Sequence, residues 1–278
     1  LETRYQSLHS PSEYARLLGT SPKILARLAK THLHKTLAEI IRERVMKHAK
    51  WQLLHTLKPV KQVAYEVGFD DEFYFSRLFK RSWGAAARVL CVYLLLWLVL
   101  VKGYYIVGSP TVEVNYQSAG ETAVLVAAAW VLYAWFAGAP DGHRMRVIAG
   151  ESGQRHARAL YALALVAFGL SHFAYLDLTA PLVPPWLPVH VFWAYFTGAA
   201  YLGAAAAMLS GVLARLAAAL STLQMGLFTL LVWAPLALAG RLSAGQWTEF
   251  GVSWALTAAA WIVADSLRGT SWLAVGKR

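Results

Sequence analysis

Four ionisable side chains lie within or beside long apolar runs of the sequence: His172, Asp177, His190 and Glu249. An ionisable group in a membrane is costly unless it is paired or has a function. These residues therefore make a quinone head-group site or a proton relay conceivable. In the simpler interpretation, which we favour, the two carboxylates and His190 lie in the hydrated headgroup zone and a neighbouring helix satisfies His172.

Thiol and metal chemistry have little support in this sequence. Cys91 is the single cysteine, so the sequence holds no internal disulfide and no CxxC pair. The two histidines carry no paired motif or haem-attachment cysteine. We therefore predict no metal or haem, assign no catalysis, and keep quinone as the one conceivable cofactor.

An abrupt change of composition near residue 85 predicts two domains, residues 1–86 and 87–278. Residues 1–88 carry 16 Lys and Arg against 8 Asp and Glu, whereas the remainder carries 10 against 7. The whole chain is 58% hydrophobic with a mean hydropathy of +0.43, which is too apolar for water unless long segments lie in lipid. Because the chain begins with Leu1 rather than Met, we expect an upstream effector-binding or dimerisation domain to be missing.

Six apolar runs are each long enough to cross a hydrocarbon core of about 30 Å as a helix. They are residues 89–107, 119–138, 157–175, 189–209, 212–240 and 247–267. Cationic residues concentrate at one side of these runs: Lys80, Arg81, Arg88, Arg144, Arg146, Arg155, Arg158, Arg215, Arg268, Lys277 and Arg278. By the positive-inside rule both termini are cytoplasmic. We therefore predict a six-helix transmembrane bundle in a bacterial cytoplasmic (inner) membrane.

Small and aromatic residues in this region have structural explanations. The Ala- and Gly-rich stretch 198–219 favours close helix packing over a pore. Trp186, Trp193, Trp233 and Trp247 suit an aromatic belt at the membrane interface.

The N-terminal region reads as short helices separated by turn signals. Ser21-Pro22 has the capping pattern of a helix start, and Gly19 permits the turn before it. A longer amphipathic helix is predicted over residues 37–55, followed by a second short pair over 60–67 and 72–82. This all-α pattern of two helix-turn-helix units joined by a linker helix places two recognition helices about 34 Å apart, one turn of a DNA duplex.

The segment VAYEVGFDDEFYFSRLFKR, residues 63–81, resembles the signature of the AraC/XylS family of bacterial transcription regulators. Residues of the predicted linker helix also fit that family: Arg44, Ala49, Leu53 and Leu54. The segment ARLLGTSPKILARLAK, residues 15–30, is similar to the family's first unit, with Ala29 where the family usually has Phe and His34 where it usually has Gly. The resemblance implies a sequence-specific regulator that binds double-stranded DNA and can form a homodimer.

The same resemblance implies which side chains face DNA. They are Lys23, Ala26, Arg27 and Lys30 in the first recognition helix and Glu72, Phe73, Ser76, Arg77 and Lys80 in the second. Glu72 could accept from a cytosine amino group, Phe73 could contact a thymine methyl, and Arg77 could reach guanine or phosphate. We expect the other faces to be core, at Leu25, Leu28, Phe75, Leu78 and Phe79. The alternative is a merely solvated basic surface, and the length of the signature and the charge favour DNA.

The segment FGLSHFAYLDLTAPLVPPWLPVHVFWAYFTGAAYLGAAAAML, residues 168–209, resembles the DoxX-like family of small bacterial membrane proteins, and the likeness covers roughly residues 88–270. This resemblance implies a link to quinone-coupled oxidation and to membrane oxidoreductase complexes.

Two hypotheses follow from the junction between the two regions. Residues 82–87 separate the last recognition helix from the first span, and six extended residues reach only about 20 Å. Bound DNA would therefore lie close to anionic headgroups. In the first hypothesis, the chain is a membrane-tethered regulator of AraC type. In the second, its membrane half is an independent DoxX-like protein, joined to the regulator by a fusion or by a gene-model chimera. A transporter is disfavoured because no charged pathway crosses the apolar runs.

Overall fold

The computed structural model describes residues 10–56, 58–137 and 147–275, without the side chains of Leu54 and Arg81. Every regular element in these ranges is a helix, which confirms the all-α class. The chain divides into two compact units, Leu1–Trp83 and Gly84–Arg278. Four cations used above for the membrane orientation lie outside the described residues: Arg144, Arg146, Lys277 and Arg278.

The first unit contains the helices that the sequence predicts. They are α1 (Pro11–Leu17), α2 (Pro22–Leu33), α3 (Leu37–His55), α4 (Val60–Glu66) and the start of α5 (Glu72–Leu96). Gly19 and Gly68 take positive φ angles of 61° and 88° in the turns before α2 and α5. Such angles suit glycine because it has no Cβ. His34 ends α2 with φ at 54°, so a non-glycine residue occupies the left-handed position where the family usually has Gly.

Side-chain caps fix the starts of three of these helices. The Ser10 and Thr36 hydroxyls accept from the amides of Glu13 and Glu39, whose carboxylates accept in return from the cap amides. These reciprocal pairs are capping boxes, and they satisfy amides that the first turn leaves unpaired. At α2 the Ser21 hydroxyl accepts from the Ile24 amide at 3.2 Å.

The core of the first unit forms around α3. Ile41, Val45 and Ala49 lie one turn apart on its buried face. They join one apolar cluster with residues from all the other helices of the unit, which includes Tyr14, Ala29, Val63, Val67 and Phe75. The linker helix therefore holds both short helix pairs.

Helix α5 is longer than the sequence analysis predicts. Residues 82–87, expected to be a connector, lie inside α5. This stretch contains three consecutive alanines and no proline, and alanine has the highest helix propensity. The chain then continues through a π-helical segment, Trp97–Lys102, into α6 (Gly103–Gly108).

The second unit consists of long helices that form a closed ring. They are α7 (Glu113–Ala137), α8 (Gly150–Ala174), α10 (His190–Ser210), α11 (Ala214–Phe228) and α13 (Ala244–Asp265). Each packs against the next, and α13 packs against α7. Shorter elements connect them: α9 (Leu176–Thr179), a 3-10 turn (Ala180–Leu182), a π-helical segment (Thr229–Trp233) and α12 (Ala234–Leu238).

Five described helical stretches are long and apolar enough to cross a membrane. They are Glu72–Gly108, Glu113–Ala137, Gly150–Ala174, His190–Ser210 and Ala214–Leu238. The sixth predicted span coincides with α13, a helix of 22 residues that is not among these five. Five of the six predicted runs therefore have the length and hydropathy of a span.

Small residues form the contacts between the long helices. A Cβ on Gly198 would lie 2.8 Å from the His172 Cβ and 3.0 Å from the Gly169 carbonyl oxygen. The backbones of α8 and α10 therefore approach each other more closely than larger residues would allow. This contact agrees with the packing role predicted for residues 198–219.

Candidate functional site

The outward face of α2 is basic. Lys23, Ala26, Arg27 and Lys30 are all exposed, and their spacing places them on one side of the helix. Three of these residues, Lys23, Arg27 and Lys30, are positively charged, and α2 contains no Asp or Glu. This face can therefore attract a polyanion along two turns of helix.

Helix α5 presents a mixed apolar and basic face in its first turns. Phe73, Arg77 and Lys80 are exposed and lie at i, i+4 and i+7, with 68% of Phe73 accessible. The Asp71 carboxylate accepts from the Phe73 amide at 2.7 Å and so fixes the start of the helix. The other two expected contact residues, Glu72 and Ser76, are half-buried.

The core prediction for these two helices is right at most positions and wrong at Leu28. Phe75 is buried, and Leu25, Leu78 and Phe79 are half-buried against the cluster. Leu28 is 46% exposed because α2 turns Leu25 and Ala29, four residues apart, toward α3 instead. The exposed face of α2 also includes Ile24, which sequence reasoning missed because an apolar residue is ordinarily assigned to the core.

A polar network holds α4 against α3. The Glu66 carboxylate accepts from Lys58 Nζ at 2.5 Å, from Gln52 Nε2 at 2.9 Å and from Gln62 Nε2 at 3.0 Å. The hydrogen bond from Lys58 is the largest of the interactions that lower the pKa of Glu66 below its ordinary value. Because α4 is joined to α5 by the turn at Gly68, the network that holds α4 on α3 also helps to position the start of α5.

A cation–π contact joins α5, three residues beyond Lys80, to α3. Lys50 Nζ lies 4.0 Å from the centre of the Trp83 ring, and Trp83 stacks in turn on Phe79 at 6.2 Å between centroids. The contact orients α5 relative to the linker helix. Sequence analysis missed it because the two residues are far apart in the chain.

The polar residues singled out in the second unit do not gather into one group. His172 is half-buried, and its Nδ1 lies 2.8 Å from the carbonyl oxygen of Phe168 in its own helix. His172 and Glu249 line one cavity, whereas Asp177 is exposed and neither it nor His190 lines that cavity. In the part of the chain that the structure describes, no three His, Cys, Asp or Glu side chains are placed to hold a metal ion.

Two of the four tryptophans predicted to form an interfacial belt also line a cavity. Trp186 and Trp247 are exposed, but Trp233 is only 8% exposed, and both Trp193 and Trp233 line the same cavity as His172. Ring closure by five helices turns these indoles inward, which a belt pattern read from spacing along the chain does not reveal.

Comparison with known proteins identifies the class of the first unit. Residues 14–90 match the family model described as a helix-turn-helix domain. Together with the relatives below, this match defines an AraC-type helix-turn-helix domain in these residues. That part of the sequence prediction is confirmed.

The relatives are bacterial regulators. HTH-type transcriptional regulator GlxA of Rhizobium meliloti (strain 1021) is 32% identical over 81 residues, 29% of this chain and 25% of GlxA. Regulatory protein SoxS is 35% identical in Salmonella typhimurium and 34% in Escherichia coli (strain K12), over 68 residues, 24% of this chain and 64% of SoxS. The chain thus spans less than two thirds of each of these relatives. No solved structure matches it significantly.

Proposed function

We propose that this chain is a membrane-tethered transcriptional regulator of AraC type. Its first unit binds double-stranded DNA through two helix-turn-helix units, with α2 and the first turns of α5 as recognition helices. The observation that carries the proposal is the pair of exposed faces that hold Lys23, Arg27 and Lys30 on α2 and Phe73, Arg77 and Lys80 on α5. The names of the relatives GlxA and SoxS, both regulators, support it.

The two faces suit different parts of recognition. The α2 cations have no acidic neighbour in their helix and suit phosphate contacts, which position a protein on the duplex. The α5 face combines an exposed aromatic ring with Arg77, which fits a thymine methyl beside a guanine edge. Sequence discrimination is therefore expected mainly from α5, and affinity from both helices.

We also propose that the second unit spans the cytoplasmic membrane with six helices, both termini in the cytoplasm. Its exposed surface supports this part of the proposal, because large apolar side chains face outward along α8, α10 and α13. Examples are Leu163 on α8, Phe192 on α10 and Trp261 on α13, each more than half exposed. In water such a surface would aggregate, whereas in lipid it is the ordinary exterior of a helix bundle.

The test uses the full-length protein in maltoside micelles. Duplexes of about 30 base pairs, close to three helical turns, are selected from a random library and titrated at about 50 and 200 mM salt. We expect a selected sequence to emerge and Arg77→Ala to weaken its binding by about 1–3 kcal/mol. We expect Lys23→Ala to weaken all sequences alike and to reduce the salt slope by about one.

Arg42→Ala is the matched control, because Arg42 is an exposed arginine on α3 outside both recognition faces. It should leave the preference among selected duplexes unchanged. If Arg77→Ala and Arg42→Ala have equal effects, the assignment of α5 as a reading helix is wrong. If no duplex binds at either salt concentration, DNA binding itself is wrong.

A second candidate is that the membrane unit is an independent DoxX-like protein joined to the regulator by fusion, with quinone as its conceivable cofactor. The division into two compact units, each with its own apolar core, favours this possibility. Long transcript reads across the codons of residues 80–93 distinguish the two. One continuous transcript supports the tethered regulator, and two separate transcripts support an artificial fusion.

A further inference from the structure

The long helices of the second unit form a partly open cavity of about 580 Å³. Its wall is formed by the first half of α7, the last turns of α8, the first half of α10, the last turns of α11 and the first half of α13. Leu182, Val183, Pro184 and Leu187 of the α9–α10 connection border the same space. This volume lies within the range of cavities that hold small organic ligands.

Two carboxylates give the cavity its charge. Glu121 of α7 and Glu249 of α13 both line it and interact electrostatically with each other. Together with His172, they are the acidic and basic side chains among the described lining residues. The described cation that acts on Glu121 is Lys102, whose Nζ donates to Ser118 Oγ at 2.5 Å. The described lining contains no lysine or arginine, so the charge of the wall comes from these carboxyl groups.

The remaining wall is largely aromatic and aliphatic. Trp193, Phe196, Tyr201, Phe228 and Trp233 present rings to it. Aromatic faces attract organic cations through their negative quadrupole, and the attraction strengthens when water is excluded.

We propose that this cavity is a binding site for a lipophilic organic cation, a molecule with aromatic bulk and one delocalised positive charge. Glu121 and Glu249 compensate the charge, and the ring of indole and phenyl groups holds the apolar body. The site does not depend on DNA binding by the first unit, so the two proposals can fail separately. If the chain is a tethered regulator, such a cation is the class of signal that its membrane unit would receive.

The experiment uses two probes of nearly equal shape and opposite charge, tetraphenylphosphonium and tetraphenylborate. Each is titrated into the full-length protein in neutral maltoside micelles, and tryptophan fluorescence and calorimetry report binding. We expect saturable, one-to-one binding of the phosphonium cation and only non-saturable partitioning of the borate anion. Equal saturable binding of both ions, or of neither, would overturn the proposal.

Variants then test the two carboxylates. Glu249→Gln should weaken phosphonium binding about fivefold, because it removes one charge facing the cation at a solvent-exposed position. Asp177→Asn is the matched control, since Asp177 is exposed and lies outside the cavity wall. It should change the affinity by less than twofold. An unchanged affinity in Glu249→Gln, or an equal loss in Asp177→Asn, would contradict the assignment.

Charge reversal keeps the test decisive if a cavity variant is poorly folded. Glu249 is solvent-exposed, so Glu249→Lys should be accommodated without burying a new charge. We expect this variant to lose phosphonium binding and to gain saturable binding of tetraphenylborate. A folded Glu249→Lys protein that still prefers the cation would overturn the proposal. The DNA titration of the same sample shows independently whether the first unit still functions.

Discussion

The two units differ in the apolar side chains that they bury and in the surfaces that they expose. In Leu1–Trp83 the core contains branched and aromatic residues such as Val45 and Phe75, and charged residues face outward. In Gly84–Arg278 the core is dominated by alanine, and large apolar residues such as Leu163 and Trp261 face outward. Water requires the first arrangement and lipid permits the second. The contrast teaches that helices of similar length can expose different surfaces, and it is the contrast expected if only the second unit lies in lipid, as proposed.

The largest expected effect comes from truncating the core of the first unit. Phe75 is 1% exposed and packs on Phe69 and Phe79 at centroid distances of 5.3 and 5.7 Å. Phe75→Ala should destabilise this unit by about 3–5 kcal/mol, because it removes a buried ring and leaves a cavity. Hydrogen–deuterium exchange of the α3 amides in the full-length protein measures the change.

Phe73→Ala is the matched control for Phe75→Ala, since Phe73 lies two residues away and is 68% exposed. It should change the exchange rates little and should weaken binding to selected DNA. Similar losses of stability in the two variants would show that the inward and outward faces of α5 are wrongly assigned.

The second effect concerns the small-residue packing of the other unit. Gly198→Ala places a Cβ 2.8 Å from the His172 Cβ and 2.9 Å from Phe173 Cε2. Overpacking of this kind costs about 1–3 kcal/mol, so the thermal midpoint in maltoside micelles should fall. Gly203→Ala on the same helix meets nothing within 4 Å and should leave the midpoint unchanged or raise it. Equal midpoints for both variants would contradict close packing of α8 on α10.

A smaller effect is expected at the start of α2. Ser21→Ala removes the hydroxyl that accepts from the Ile24 amide and should cost about 1 kcal/mol. Ser21→Asp retains an acceptor and should restore most of that stability. Exchange rates of the α2 amides provide the measurement, and an Asp variant as unstable as the Ala variant would argue against the cap.

The smallest effect is a pH dependence at Glu66. Its pKa is lowered in the folded protein, chiefly by the hydrogen bond from Lys58, so the network stabilises the fold at neutral pH. That contribution is lost as the pH falls from the ordinary carboxyl range through the lowered pKa. The stability difference between wild type and Glu66→Gln should therefore shrink on acidification, as followed by exchange of the α4 amides.

Glu43→Gln serves as the comparison for Glu66, because the Glu43–Lys35 pair is more exposed than the Glu66–Lys58 pair. We expect a smaller difference from wild type at neutral pH. A Glu66 difference that does not change with pH would argue against an ionised Glu66 as the centre of the network.

Much of the fold follows from local patterns in the sequence. The bounds of α3, the turns at Gly19 and Gly68 and the start of α2 at Ser21-Pro22 depend on caps, glycine and helical periodicity, which act within a few residues. The continuation of α5 through residues 82–87 does not follow from composition, which changes abruptly at this point of the sequence. Alanine propensity outweighs that change.

The candidate sites depend in part on contacts between helices, which local sequence patterns do not predict. The basic faces of α2 and α5 follow from spacing, whereas the exposure of Leu28 depends on which face of α2 meets α3. In the second unit a signal was available and missed, since Glu121 is an acidic residue inside the apolar run 119–138. Its pairing with Glu249 depends on the packing of α13 against α7, which spacing along the chain does not specify.

The most direct test of a DNA-binding unit and a membrane unit in one chain is fractionation of cells that express the full-length protein. Membranes are washed with high salt, solubilised, and assayed for specific retardation of a selected duplex. The account predicts that the DNA-binding activity stays with the washed membranes and weakens steeply with salt. Activity confined to the soluble fraction, or membrane-bound protein that ignores DNA, would contradict it.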